Sequence, residues 1–163
     1  VMDGSFAGGV SPAHRASASR RYQRLFGETM HLYCARPHAL FDSEHSALDW
    51  PALRARQDFA GLGYHSPNME LAHGQRLRRG ATAYDQEAIA TLILSGRFIG
   101  FLPDHYAAAF VQRGQLRAVA PERLHYDCDF VSVLRRSPQP ARAALAFHRA
   151  LLAAHADAMT HDA

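Results

Sequence analysis

Residues 81–106 read ATAYDQEAIATLILSGRFIGFLPDHY, and the order of residue types in this stretch decides the fold. Asp85 is placed to cap a helix, with Gln86 and Glu87 in its first turn, where acids suit the helix dipole. Ala88, Ile89, Leu92 and Ile93 then share one helical face. Gly96 suits the residue after the last turn, because a left-handed backbone costs glycine no Cβ clash. Phe98–Leu102 is apolar without polar alternation, as expected of a strand covered on both faces. Pro103 stops it, and Asp104 is placed to cap a second helix. The stretch is thus a βαβα unit whose strand ends and helix starts meet at one edge of a sheet. In open α/β sheets that edge is where ligands bind.

The chain has 163 residues, of which 48% are hydrophobic. That supports one domain or two small lobes with a real core and argues against disorder. No run approaches the roughly 18 apolar residues of a membrane span. The start, VMDGSFAGG, has neither a basic nor an apolar region of the kind a signal peptide needs. The chain reads as a piece of a longer protein, cytoplasmic and not membrane-bound. All 18 basic residues are arginine, which excludes mechanisms built on a lysine of this chain. The clusters Arg20/Arg21/Arg24, Arg76/Arg78/Arg79 and Arg135/Arg136 carry no nucleic-acid motif, so they read chiefly as solvated faces and otherwise as weak anionic contacts.

Outward from the central stretch, Met2–Gly4 reads as a turn, Phe6–Val10 as a strand and Ser11–Ser19 as a loop. Tyr22–Phe26 and Met30–Cys34 read as two extended segments, and Arg36–His38 as a turn. Leu48–Arg56 reads as a short helix, Phe59–Tyr64 as a strand ended by His65–Pro67, and Met69–Arg79 as a helix stopped by Gly80. Beyond the centre, Tyr106–Arg113 is helical and ends at Gly114. Leu116–Val119 and Phe130–Leu134 are strands. Ala141–His155 is a closing helix whose Ala144, Phe147 and Leu151 face inward, widened by Leu145 and Leu152, and 156–163 is a tail expected to fray. Strands alternating with helices predict an α/β fold with a mostly parallel sheet flanked by helices.

Five segments resemble the effector-binding domain of LysR-type transcriptional regulators. MDGSFAGGVSP is similar to the family's exit from the first lobe, and ETMHLYCARPHALF to its strand entering the second. LDWPALRARQDFAGLGYH is similar to the helix and strand that follow. EAIATLILSGRFIGFLPDHYA resembles the most recognisable family segment: Gly96 and Ile99–Pro103 match, while Arg97-Phe98 replaces a small pair. FVSVLRRSPQPARAALAFHRALL is similar to the return strand and closing helix. The resemblance implies a periplasmic-binding-protein-like architecture: the second lobe plus the return part of the first lobe. It divides the chain into residues 1–20, the end of the first lobe and crossover; 21–128, the second lobe; and 129–163, the return strand and closing helix. It further implies a small-molecule effector between two lobes, a homodimer or homotetramer, and DNA bound only through an N-terminal helix-turn-helix domain not in this chain.

The candidate effector-binding residues are the polar groups at strand ends and helix starts: His65 and Ser66, Thr82 and Tyr84, and Asp104, His105 and Tyr106. The competing reading is plain capping, which Ser66 and Asp104 would do whatever the ligand. Asp85, Glu87 and Asp104 place negative charge there, which favours a polar neutral or amine-bearing effector over a simple acid. Eleven histidines carry no metal-ligand spacing, so neither metal nor cofactor is expected. Cys34 and Cys128 read as buried reduced thiols rather than a redox pair. His65-Ser66 is no nucleophile elbow, since the second glycine is missing, and no acid/base pair stands out, so the chain reads as no enzyme. The alternatives are a solute-binding protein of a transporter and a cytosolic enzyme.

Overall fold

A computed structural model of the chain describes residues 7–13, 17–45, 49, 51, 55–63 and 77–156. It divides into two compact units, Val1–Glu28 with Cys128–Ala163, and Thr29–Asp127. The strands are β1 (Gly8–Pro12), β2 (Arg20–Ala35), β3 (Asp58–Leu62), β4 (Arg78–Ala83), β5 (Phe98–Pro103), β6 (Leu116–Ala118) and β7 (His125–Arg135). The helices are α1 (Gln86–Leu94), α2 (Asp104–Gln112) and α3 (Arg142–Ala154). Strands pair in the order β1-β7-β2-β5-β3-β4, with β6 also on β2.

The unit Thr29–Asp127 is built around β5. Asp85 caps α1, its Oδ1 accepting from the Ala88 amide at 2.7 Å. Ile89, Ala90 and Ile93 are the buried face of that helix. The helix stops at Ser95 because Gly96 takes φ +76°, a left-handed backbone packed against Pro37. Five successive residues of β5, Ile99–Pro103, are then buried. Gly100 lets α1 approach closely: a Cβ there would lie 3.0 Å from Ile93 Cδ1 and 3.2 Å from Ile89 Cγ2. Phe101 packs instead on Phe59 and Tyr126, with ring centroids 6.0 and 5.1 Å apart. β3 runs parallel to both β4 and β5. β2 runs antiparallel to β5 and β6, so the sheet is mixed and its parallel part is β5-β3-β4. Gly114, at φ +64°, ends α2.

In the other unit β1 pairs antiparallel with β7, from Gly8 opposite Leu134 to Pro12 opposite Phe130. Phe26 of β2 stacks on Phe130 at 5.0 Å, and Arg24 bonds Asp129 at 2.9 Å. The closing helix is pinned by His148, 6% exposed. Its Nδ1 accepts from the Ser132 hydroxyl at 2.7 Å, and its Nε2 donates to Gln23 Oε1 at 2.6 Å. One neutral imidazole thereby joins α3, β7 and β2. Ser132 beside a histidine looks like a nucleophile and base, but at 2% exposed its hydroxyl is sealed from solvent.

Several expectations need correction. Extended backbone at residues 22–26 and 30–34 is one strand, because Gly27-Glu28 continues the ladder instead of breaking it. β1 reaches Pro12, so the loop expected from Ser11 starts later; proline is tolerated on a strand at the end of the pairing order. The helix expected to end at Arg79 does not: Arg78–Ala83 is β4. Gly80 is mid-strand beside Asp58, and pairing with β3 overrides a local helical pattern. β7 starts at His125, well before Phe130. Phe147 is 59% exposed, and His148 is the buried residue of the last helix. Ala55 and Arg56 form a turn rather than a helix end. The readings of Met2–Gly4, of His65–Pro67, of Met69–Arg76 and of most of Leu48–Arg54 lie outside the described residues, as does the tail beyond Ala156.

Cys34 and Cys128 are both buried, and neither is in a disulfide. Burial, above all, pushes the Cys34 thiol up to about 12. Among the described residues no helix is long and apolar enough to cross a membrane.

Two outcomes are expected. Gly96→Ala should lower the unfolding free energy by about 1–2 kcal/mol, the cost of a left-handed L-residue, with more from the clash on Pro37. A urea midpoint equal to wild type would refute it. Desolvation, and then the Arg21 charge, hold the His148 imidazole below its usual 6.5. The unfolded chain therefore takes up the proton first, so this stability is complete above pH 6.5 and is lost as pH falls below it. His148→Gln should flatten the pH dependence of the urea midpoint as pH falls below about 6.5. An unchanged slope would assign the acid sensitivity to another group.

Candidate functional site

The parallel strands β3, β4 and β5 all end on one edge of the Thr29–Asp127 unit. Adjacent strands are spaced ~4.8 Å, so the ends of β4 and β5, with β3 between them, stand roughly 10 Å apart. α1 starts just after β4 and α2 just after β5. Helix starts present unpaired amides and a positive dipole end. This edge therefore gathers polar backbone and side chains beside a dry interior.

Thr82 and Tyr84 stand at the end of β4. Both are exposed, Tyr84 to 76%. Gly63 makes room for them: a Cβ there would lie 2.8 Å from Thr82 Cγ2 and from Tyr84 Cε1. The Gly63 amide bonds the Ala83 carbonyl at 2.7 Å, carrying the β3–β4 ladder to the edge. His65 and Ser66, which follow β3 in sequence, lie outside the described residues.

Asp104, His105 and Tyr106 form the first turn of α2. The expected capping by Asp104 does not occur. Pro103 is the N-cap residue, and no side chain caps the helix. The Asp104 carboxylate turns to β2 instead. Its Oδ1 accepts from His31 Nδ1 at 2.6 Å and from the Tyr33 hydroxyl at 3.0 Å. Two strand donors outcompete a cap that needs the carboxylate to fold back over its own helix. Burial, then the Asp104 hydrogen bond and charge, push the Tyr33 phenol above its usual range, so it stays a donor. Asp104 in turn keeps the His31 proton on Nδ1. His31 also packs against His125 at 5.4 Å, and His125 Nδ1 donates to the Pro121 carbonyl at 2.7 Å. His105 is exposed, whereas Tyr106 is half-buried, packed on Phe110 at 5.9 Å and against the core.

Of the seven sequence candidates, then, Thr82, Tyr84 and His105 offer surface to the edge. Asp104 is committed to a network, and Tyr106 is half-buried against the core. His31, Tyr33 and His125 were missed. The signal for the first two was present: His31 and Tyr33 are two apart on a strand, hence on one face, amid apolar neighbours. Among the described residues no group of three or more metal-binding side chains is found.

The LysR substrate binding domain family matches residues 3–156. The chain is 39% identical over 140 residues to the HTH-type transcriptional activator BauR of Pseudomonas aeruginosa; the match covers 86% of this chain and 46% of that protein. The chain thus spans about half the length of that relative. Among solved structures, the CrgA regulatory domain of Neisseria meningitidis matches with a TM-score of 0.71 at 17% identity, over 94% of this chain and 78% of that one. The apo HypT regulatory domain of Salmonella typhimurium matches at 0.69 and 17%, over 96% and 76%. Full-length LysG of Corynebacterium glutamicum, with bound effector Arg, matches at 0.66 and 17%, over 96% and 53%. These structures agree with the mixed sheet and flanking helices found here. A family match over nearly the whole chain, joined to this fold, gives the conclusion that the protein belongs to the LysR substrate-binding domain family.

Proposed function

We propose that the chain is the sensor part of a cytoplasmic, DNA-binding transcriptional regulator, and that a small-molecule effector binds at the edge formed by the ends of β3, β4 and β5. The carrying observation is that three parallel strand ends and two helix starts meet there, beside the exposed Thr82, Tyr84 and His105. His65 and Ser66, which follow β3 in sequence, are proposed for the same site on sequence grounds. Asp104 is a positioning residue: through Tyr33 and His31 it sets where α2 begins. Occupancy by a ligand with differential affinity shifts the balance between two arrangements of the regulator. An N-terminal helix-turn-helix domain, in a homodimer or homotetramer, reads that shift on DNA. A relative that is a helix-turn-helix activator supports this over the transporter reading. So does LysG, solved with effector Arg.

Asp85, Glu87 and Asp104 keep the edge acidic, which favours a polar neutral or amine-bearing effector. Calorimetric titration with amines, polyols and simple carboxylates should give binding to the first two classes. Tight binding of simple carboxylates alone would overturn the charge argument. Tyr84→Ala and Thr82→Ala should each weaken the bound compound by about 3–10-fold, the worth of one stacking or hydrogen-bonding group, with the urea midpoint unchanged. Unaltered affinity in both variants would move the site elsewhere.

The positioning role has its own test. A double-mutant cycle of Tyr33→Phe and Asp104→Asn should give a coupling of about 0.5–1 kcal/mol, at the low end for a charged hydrogen bond because Asp104 is half exposed. Additive effects would mean that the two side chains act independently.

A further inference from the structure

We propose that the unit formed by Val1–Glu28 and Cys128–Ala163 carries a second binding site, for a small multiply charged oxyanion, in an arginine-lined hollow at the start of α3. The hollow measures about 560 Å³ and is bounded by Arg21, Arg135, Arg136, Gln139, Leu134 and Leu145, together with Pro140. That volume suits a metabolite-sized ligand. Among the described residues that line it, three are cationic and none is acidic. Among the described residues none of the three arginines forms an ion pair with a carboxylate.

An arginine cluster on a convex face is ordinarily just solvated. Here the arginines surround a concavity whose walls include the buried Leu134 and Pro140. Charge of one sign against a low-dielectric wall concentrates the field on whatever enters. Arg135 is also held in place, its Nε donating to the Pro138 carbonyl at 3.2 Å. A guanidinium presents a planar fork that matches carboxylate and phosphate oxygens two at a time.

A second, independent feature points the same way. Gln139 and Pro140 immediately precede α3, and Leu145 lies in its first turns. Ala141 at the N-cap position offers no side-chain hydrogen bond, and the first turn contains no acid. α1, by contrast, is capped by Asp85 and carries Glu87 in its first turn. The start of α3 thus lacks the negative group that helix starts favour, and a bound anion would supply it. This site belongs to the other unit and is independent of the effector edge proposed above.

The test is isothermal calorimetry on the intact protein at fixed ionic strength, with inorganic phosphate, glycerol 3-phosphate and succinate as probes. At least one probe should bind saturably, and the preferred one assigns the ligand as phosphate-bearing or dicarboxylic. Arg21→Gln and Arg136→Gln, both exposed positions, should each weaken that binding at least about tenfold, the worth of one charge-assisted hydrogen bond. Arg149→Gln, which removes the same charge from α3 outside the hollow, should leave it unchanged. No saturable heat from any probe up to about 10 mM, the weak limit of specific recognition, would overturn the proposal. Equal weakening by Arg149→Gln would also overturn it, because the effect would then be one of net charge.

Discussion

A strand with no solvent face must be covered twice, and β5 imposes that condition on the unit Thr29–Asp127. Its buried run from Ile99 to Pro103 puts Leu102 toward α1 and the core of Ile89 and Ile93. It puts Phe101 toward Phe59 and Tyr126. Burying such side chains contributes on the order of 1.5–3 kcal/mol each, so neither cover is dispensable. The helix can lie close only because residue 100 is glycine, and it can end in time only because residue 96 is glycine. The candidate site follows from the same constraint. A strand buried along its length exposes polar groups only at its ends, and there the chain places its helix starts.

The electrostatics of that edge divide between structure and recognition. Asp85 spends its carboxylate on the Ala88 amide, and Asp104 on two donors from β2. Neither acid is idle, yet both leave negative potential where a ligand would arrive. In the other unit the pattern is reversed: the start of α3 is uncapped and stands among arginines. The helix starts of the two units thus carry opposite local charge.

The central βαβα unit was legible in the sequence because its signals are local. A cap, a four-residue apolar stripe and a glycine stop need no knowledge of neighbours. Gly96 and Gly114 both proved to be left-handed stops. The failures share one physical origin, namely non-local pairing. Arg78 and Arg79 were read as the end of a helix and Gly80 as its stop, because the partner strand of β4, β3, lies some twenty residues earlier in sequence. Tyr22–Phe26 and Met30–Cys34 were read as separate extended segments, but β2 runs unbroken through Gly27. Phe147 was assigned inward by hydrophobicity, whereas His148 is the buried one because Ser132 and Gln23 satisfy it. At the candidate edge, the position of Asp104 was legible but its partners were not. His31 and Tyr33 lie some seventy residues away in sequence and meet it only through the antiparallel pairing of β2 with β5.

The two cysteines fall one to each unit, Cys34 in Thr29–Asp127 and Cys128 in the other. A thiol that titrates near 12 and has no access to solvent is inert while its surroundings stay closed. Alkylation of Cys34 then clocks the opening of the unit Thr29–Asp127. The native chain therefore carries its own chemical stopwatch, by which the breathing of that unit can be timed without adding a dye or altering a residue.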